Sequence, residues 1–147
     1  MELSNKGLSL IKKHEGCKLT AYKCPAGVWT IGFGNTKYTD GKAVKEGETI
    51  TIKQAEELFA NVVNEFSYSV YFLCGEYVNQ NQFDALTSFA YNVGIGAFKK
   101  STLLKLVKAN ANNPLIRNEF AKWNKAGGKV LKGLTNRRKE EADLYFS

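Results

Sequence analysis

Apolar and polar positions change period three times along the chain. Near the start, Leu8, Leu10 and Ile11 fall at helical spacing behind Ser4 and Asn5, either of which can cap a helix, and Gly16 ends it. Beyond Gly16 the period drops. "LTAY" and "VWTIGF" read as two short strands joined by "KCPAG", where Pro25 and Gly27 supply turn geometry. Tyr38, Thr39, Asp40 and Gly41 predict a third strand or a return turn, so a small antiparallel sheet is expected over roughly residues 18–48. From Thr51 the pattern is helical again. "TIKQ" is a Thr-x-x-Gln capping box, and Ala55, Leu58, Phe59, Val62, Val63, Phe66 and Val70 follow at three-and-four spacing, which predicts one helix of over twenty residues. A second capping box at residues 79–82 opens "FDALTSFAYNVG", and shorter helices are expected over residues 101–108, 115–123 and 135–146, broken at "NANNP" and "AGGKV". The pattern predicts an α+β protein: a small sheet lobe, a connecting helix and an all-helical lobe.

At 147 residues and 44% apolar composition, the chain is the size of one domain and can bury a core without metal or disulfide staples. It has no apolar run long enough to span a bilayer and no secretory signal at its start, so the expectation is a protein that stays in the cytoplasm where it is made unless something releases it. Cys17, Cys24 and Cys74 form no CxxC pair, and His14 is the lone histidine, which argues against a zinc site and a disulfide framework. No metal and no cofactor are expected. The net charge of +7 is uneven: residues 99–139 hold twelve basic side chains against one acid, Glu119. Such a run attracts polyanions, among them acidic cell-wall polymers, or it is a solvated lysine surface. Without a nucleic-acid-binding motif, nucleic acid is not an expected partner.

The residues that carry chemistry lie in "EGCKLTAYKCPAGVWTIGFGNT". Glu15 falls at the end of a helix, where the backbone dipole disfavours an ionised carboxylate. Cys24 ends the first strand and Thr30 stands in the second, so a hairpin brings them into one patch facing the helix end. An acid on one side and a polar pair on the other leave room for a bond and a water between them. Inverting glycoside cleavage uses that arrangement, with its two catalytic groups roughly 6.5–9.5 Å apart.

The spacing E-x8-C-x5-T inside "EG..L.AY.CPAGVWTIGFGNT" resembles the signature of the phage-type lysozymes, and the likeness runs on through "TIKQAEELF", "QFDALTSFAYNVGIGAFKKSTLL" and "FAKWNKAGGKVLKGLTNRR". The resemblance implies a two-lobed lysozyme-like fold with a cleft between lobes. One domain would cover residues 1–147, with the β lobe at about 15–50 and the helical lobe formed by 1–14 and 51–147. It implies an endolysin-type muramidase that cleaves the β-1,4 bond between N-acetylmuramic acid and N-acetylglucosamine in peptidoglycan. It further implies release to the wall from the host cytoplasm by a holin-type route; a monomer is the default expectation, and the apolar runs predict no stable membrane insertion. The alternative is a silent wall-binding module of the same fold. Glu15 corresponds to the general acid, Cys24 to the water-activating position that is Asp in most members, and Thr30 to the residue that orients the water. Gly32, Asn35, Tyr91, Asn92, Ser101 and Arg137 are the implied substrate-binding set, with Gly32 and Gly34 allowing backbone approach to sugar.

Two positions depart from the family pattern. Cys24 is a thiol, mostly neutral at pH 7 unless its surroundings lower its pKa, and it serves either as a weak base or as a nucleophile in a retaining variant. Asn35 stands directly after "GFG", where the family commonly has a histidine in a structural ion pair. Cys17 and Cys24 flank the first strand, and whether they form a regulatory disulfide is left open by the sequence.

Overall fold

The structure, a computed structural model, describes residues 1–147 and divides into two compact units. One comprises Met1–Ile11 with Phe66–Ser147, the other Lys12–Glu65. The second is wider than the expected sheet lobe, because it takes in the last turn of the first helix and the first half of the long one.

Within Lys12–Glu65, the last turn of α1 (Asn5–Glu15) leads into a hairpin of β1 (Lys18–Lys23) and β2 (Trp29–Gly32). The strands are antiparallel, with Tyr22 opposite Thr30 and Lys23 opposite Trp29, and the register shifts between Lys18 and Tyr22. The expected sheet is smaller than the sequence suggests. Residues 38–41 form the return turn, closed by the Gly41 N–H on Tyr38 O at 2.9 Å, and beyond the hairpin only isolated bridges such as Lys37–Ala43 and Thr20–Thr49 remain. Ile31, Val44 and Leu58 form the local core, with Ala21, Trp29, Tyr38, Ile50 and Val62 packed at its edge. The long helix α2 (Ile52–Cys74) begins at the predicted box: Thr51 Oγ1 accepts from Gln54 N–H at 3.1 Å and Gln54 Oε1 from Thr51 N–H at 2.8 Å.

The other unit is built around α3 (Gln80–Val93), in which every residue from Gln82 to Ala90 is buried. A helix buried on all sides must satisfy its own polar groups. Asp84 accepts from Ser4 N–H (3.1 Å), from the Ser4 hydroxyl and from Gln80 Nε2 (2.8 Å), which ties the start of α1 to α3. Ser88 donates to Glu141 Oε2 at 2.6 Å on α7 (Lys132–Tyr145). Phe89 is the hub of the core, with Phe98, Phe120 and Trp123 edge-on at 5.5–6.1 Å.

Two elements were not foreseen. Gly94, at φ 96°, ends α3 and starts a separate helix α4 (Ile95–Lys100), in a stretch to which the sequence pattern assigns no element. The "AGGKV" break is a two-residue hairpin, β3 (Lys125–Ala126) with β4 (Lys129–Val130). The remaining helices, α5 (Thr102–Ala109), α6 (Ile116–Ala121) and α7, fall where their spacing predicts.

Candidate active site

Glu15 is the last residue of α1, half-buried, and that turn is anchored from below. Lys12, one turn earlier, pairs with Glu56 at 2.6 Å and lies over the rings of Phe33 and Phe59 at 5.5 and 5.4 Å. The Gly16 N–H closes the helix on Lys12 O at 2.9 Å. The Glu15 carboxyl lies against Gly34. A Cβ at that position would meet Glu15 Cδ at 3.2 Å and its Oε2 closer still, and φ of 81° already favours glycine there. The close approach at Gly34 is therefore to the protein's own acid, within the apo fold.

The hairpin supplies the facing groups. Side chains alternate along a strand, so Tyr22 and Cys24 share one face and Thr30, directly opposite Tyr22, joins them. Lys23 and Trp29 take the other face, with Lys23 Nζ 5.4 Å from the indole centre. The Cys24–Val28 turn is tight: Cys24 N–H bonds Val28 O at 3.0 Å and Gly27 N–H bonds Cys24 O at 2.8 Å. It aims donors at the thiol. Hydrogen bonding from the Val28 backbone is the largest influence and lowers the Cys24 pKa; burial, next in size, opposes it, and the Ala26 backbone and the Thr30 side chain lower it further, so the pKa of the thiol stays below its ordinary value. Thr30, 3% exposed, has one hydroxyl proton, and its well-formed bond is to Val28 O at 2.9 Å. It therefore presents lone pairs to the site while that bond stands.

Tyr22 is the residue that the motif did not single out. Burial raises its pKa first, and negative charge on Glu15 and on Cys24 raises it further, so its phenol sits in the field of both groups. Strand alternation alone, two residues before Cys24, was the signal that could have found it.

The expected substrate-binding residues have varied surroundings. Gly32 is buried at φ 66°, and a Cβ there would point at Asn35 Oδ1 (3.4 Å) and Ile50 Cδ1 (3.6 Å). Asn35 is 3% exposed, and its backbone is paired with Ile31 in both directions at 2.8 and 2.9 Å. Its Oδ1 has no protein partner, so no ion pair stands in the place of the family's histidine. In the helical unit, Tyr91 is half-buried with its ring 5.3 Å from Phe66. Asn92 is exposed, and its Oδ1 accepts from Arg138 Nη2 at 2.8 Å. Ser101 is buried as the N-cap of α5, donating to Phe98 O at 2.7 Å and accepting from Leu104 N–H at 3.1 Å. Arg137, 3% exposed, contacts Glu141 at 3.2 Å and donates to Ser88 O at 3.1 Å. In the basic run, every lysine is exposed, whereas Arg137 and Arg138 are buried.

The Cys17–Cys24 disulfide that the sequence left open does not fit this fold. All three cysteines are free, and Cys17 and Cys24 flank the six extended residues of β1. At about 3.3 Å per residue they stand on the order of 20 Å apart, where a disulfide needs less than about 7 Å.

Comparison with known proteins identifies the family. The family model described as phage lysozyme matches residues 12–141. The endolysin of Bacillus phage PZA is 44% identical over 149 residues, which cover 100% of this chain and 56% of that protein. The chain thus spans about half the length of that relative. A SAR-endolysin of Haemophilus phage HP1 is 37% identical, covering 97% of this chain and 80% of that protein. Among solved structures, the endolysin from Escherichia coli O157:H7 phage FAHEc1 superposes with a TM-score of 0.89 at 42% identity, over 100% of this chain and 94% of that one.

Proposed function

Because the chain belongs to the phage lysozyme family, we propose that it is an endolysin-type muramidase. It hydrolyses the β-1,4 bond between N-acetylmuramic acid and N-acetylglucosamine in peptidoglycan and so lyses bacterial cells. Glu15 is the general acid. Its carboxyl gives a proton to the glycosidic oxygen as the bond from C1 breaks, and is left as a carboxylate. On the opposite face of the sugar ring, Cys24 as thiolate takes a proton from a water whose oxygen attacks C1, and Thr30 Oγ1 accepts that water's second hydrogen bond. The products are two shorter glycans, the new reducing end inverted.

The observation that carries this reading is the packing of the Glu15 carboxyl against Gly34, with the hairpin presenting a thiol whose pKa is lowered. A thiol in place of a carboxylate needs local stabilisation to act as a base, and the N–H groups of the Val28 turn supply it without a cationic side chain. Asn92, whose Oδ1 is held by Arg138, uses its amide N–H donors on an acetamido group of the glycan, and Tyr91 is a further glycan contact. The exposed lysines of residues 99–139 draw the protein to acidic wall polymers over a screened, long-range field. No helix is long and apolar enough to cross a membrane, and release by a holin-type lesion is the route we assign.

Clearing of purified peptidoglycan by wild type, Glu15→Gln and Cys24→Ser tests the reading. Wild type clears and Glu15→Gln does not. A wild-type protein that binds wall without clearing it would instead make the chain a silent binding module.

A further inference from the structure

The donors and acceptors around Cys24 do not balance for holding a water. A thiolate only accepts hydrogen bonds, and while the Thr30 proton is held by Val28 O at 2.9 Å its hydroxyl only accepts as well, so in that arrangement both groups take protons from a water between them. Glu15 holds its own proton for the leaving oxygen. The water's oxygen has two lone pairs. One attacks, and the other needs a donor to keep it aimed. Tyr22 is opposite Thr30 on the paired strand, on the face of Cys24, and half-buried. Its hydroxyl makes no hydrogen bond to the protein and lies within electrostatic reach of both Glu15 and Cys24. Burial opposes its ionisation first and the Cys24 thiolate adds to that, so the phenol keeps its proton even while Glu15 carries its own.

We propose that Tyr22 is a catalytic residue of this site: its phenolic O–H donates to the attacking water, whose two protons are held by Cys24 Sγ and Thr30 Oγ1. The four side chains then divide one task. Glu15 protonates the departing oxygen, Cys24 removes the water's proton, Thr30 fixes its second proton and Tyr22 fixes its lone pair. This deepens the muramidase reading and rests on it.

Tyr22→Phe removes one oxygen and keeps the ring, so a packing role survives the change and a donor role does not. On a soluble peptidoglycan fragment, kcat should fall about 10- to 100-fold, with KM within about twofold of wild type and an unchanged thermal midpoint. Azide supplies the second readout. As an anionic nucleophile it needs neither a base nor an aimed proton: its nitrogen forms the bond to C1, the C1–O bond breaks, and Glu15 gives its proton to the leaving oxygen. Azide should therefore restore turnover in Tyr22→Phe, with glycosyl azide as the product. Full activity of Tyr22→Phe, or a loss that azide does not relieve, overturns the proposal. Glu15→Gln separates this failure from that of the wider reading: if it stays active, the acid is misassigned, whereas an inactive Glu15→Gln beside a fully active Tyr22→Phe removes Tyr22 alone.

Discussion

Gly34 and Glu15 share a space that only a glycine leaves open. The acid's carboxyl occupies the volume in which a Cβ of residue 34 would stand, with Glu15 Cδ 3.2 Å from that point. A helix end and a loop nineteen residues further on are thereby fitted to each other before any substrate arrives.

Gly34→Ala should therefore damage activity beyond its effect on stability. The backbone at φ 81° costs a side chain about 1–2 kcal/mol by itself. Gly41 is the control, because it has a similar φ of 85° and open space around its missing Cβ. Thermal unfolding and wall-clearing rates on both variants separate the two effects. Gly41→Ala should lose stability and keep its specific activity, while Gly34→Ala loses both, as its methyl displaces the carboxyl.

Replacing the thiol tests the base. Cys24→Ser puts an alcohol that does not ionise near neutrality where a proton acceptor is needed, and the clearing rate should fall by about 10²-fold or more. Cys24→Asp installs the group most members of the family carry and should retain activity. Polarimetry or NMR of the freshly released reducing end reads the stereochemistry. Inversion is expected, and retention would make Cys24 a nucleophile instead.

The three thiols should alkylate in a fixed order. Cys24, half-exposed with its pKa lowered by the Val28 turn, forms thiolate at lower pH than an ordinary cysteine and reacts first. Exposed Cys17 follows. Cys74 is 1% exposed, and burial pushes its pKa up to about 12, so it reacts only on unfolding. The sign carries over to catalysis: a lowered pKa extends the base's active range toward acid, and activity falls as pH drops through it. Peptide-resolved iodoacetamide labelling between pH 6 and about 9 checks the order. Faster labelling of Cys17 would remove the activated thiol.

Glu141 should matter for stability. Its carboxylate is fully buried between Arg138 at 2.8 Å and Arg137 at 3.2 Å, and it accepts from Ser88. Glu141→Ala leaves two buried guanidinium groups without their counter-charge, a loss of about 3–5 kcal/mol. Denaturant unfolding measures it, and a change under about 1 kcal/mol would mean the pair relaxes to solvent.

The sequence by itself determined what local physics controls. Capping boxes placed the starts of α2 and α3, apolar spacing placed most of the helices, and the Pro25–Gly27 turn placed the hairpin. The spacing of Glu15, Cys24 and Thr30 pointed to the site proposed for the chemistry. Each of these signals lies within a few residues of its effect. Only the tertiary structure decided which groups meet. It set Gly34 against Glu15, brought the phenol of Tyr22 into the field of two other site residues, and aimed backbone N–H groups of the turn at a thiol. It kept Cys17 and Cys24 a strand's length apart. It also took Arg137 and Arg138 out of the basic run and buried them against Glu141, a pairing that charge counting misses because burial, not residue type, decides whether a guanidinium faces water or a carboxylate.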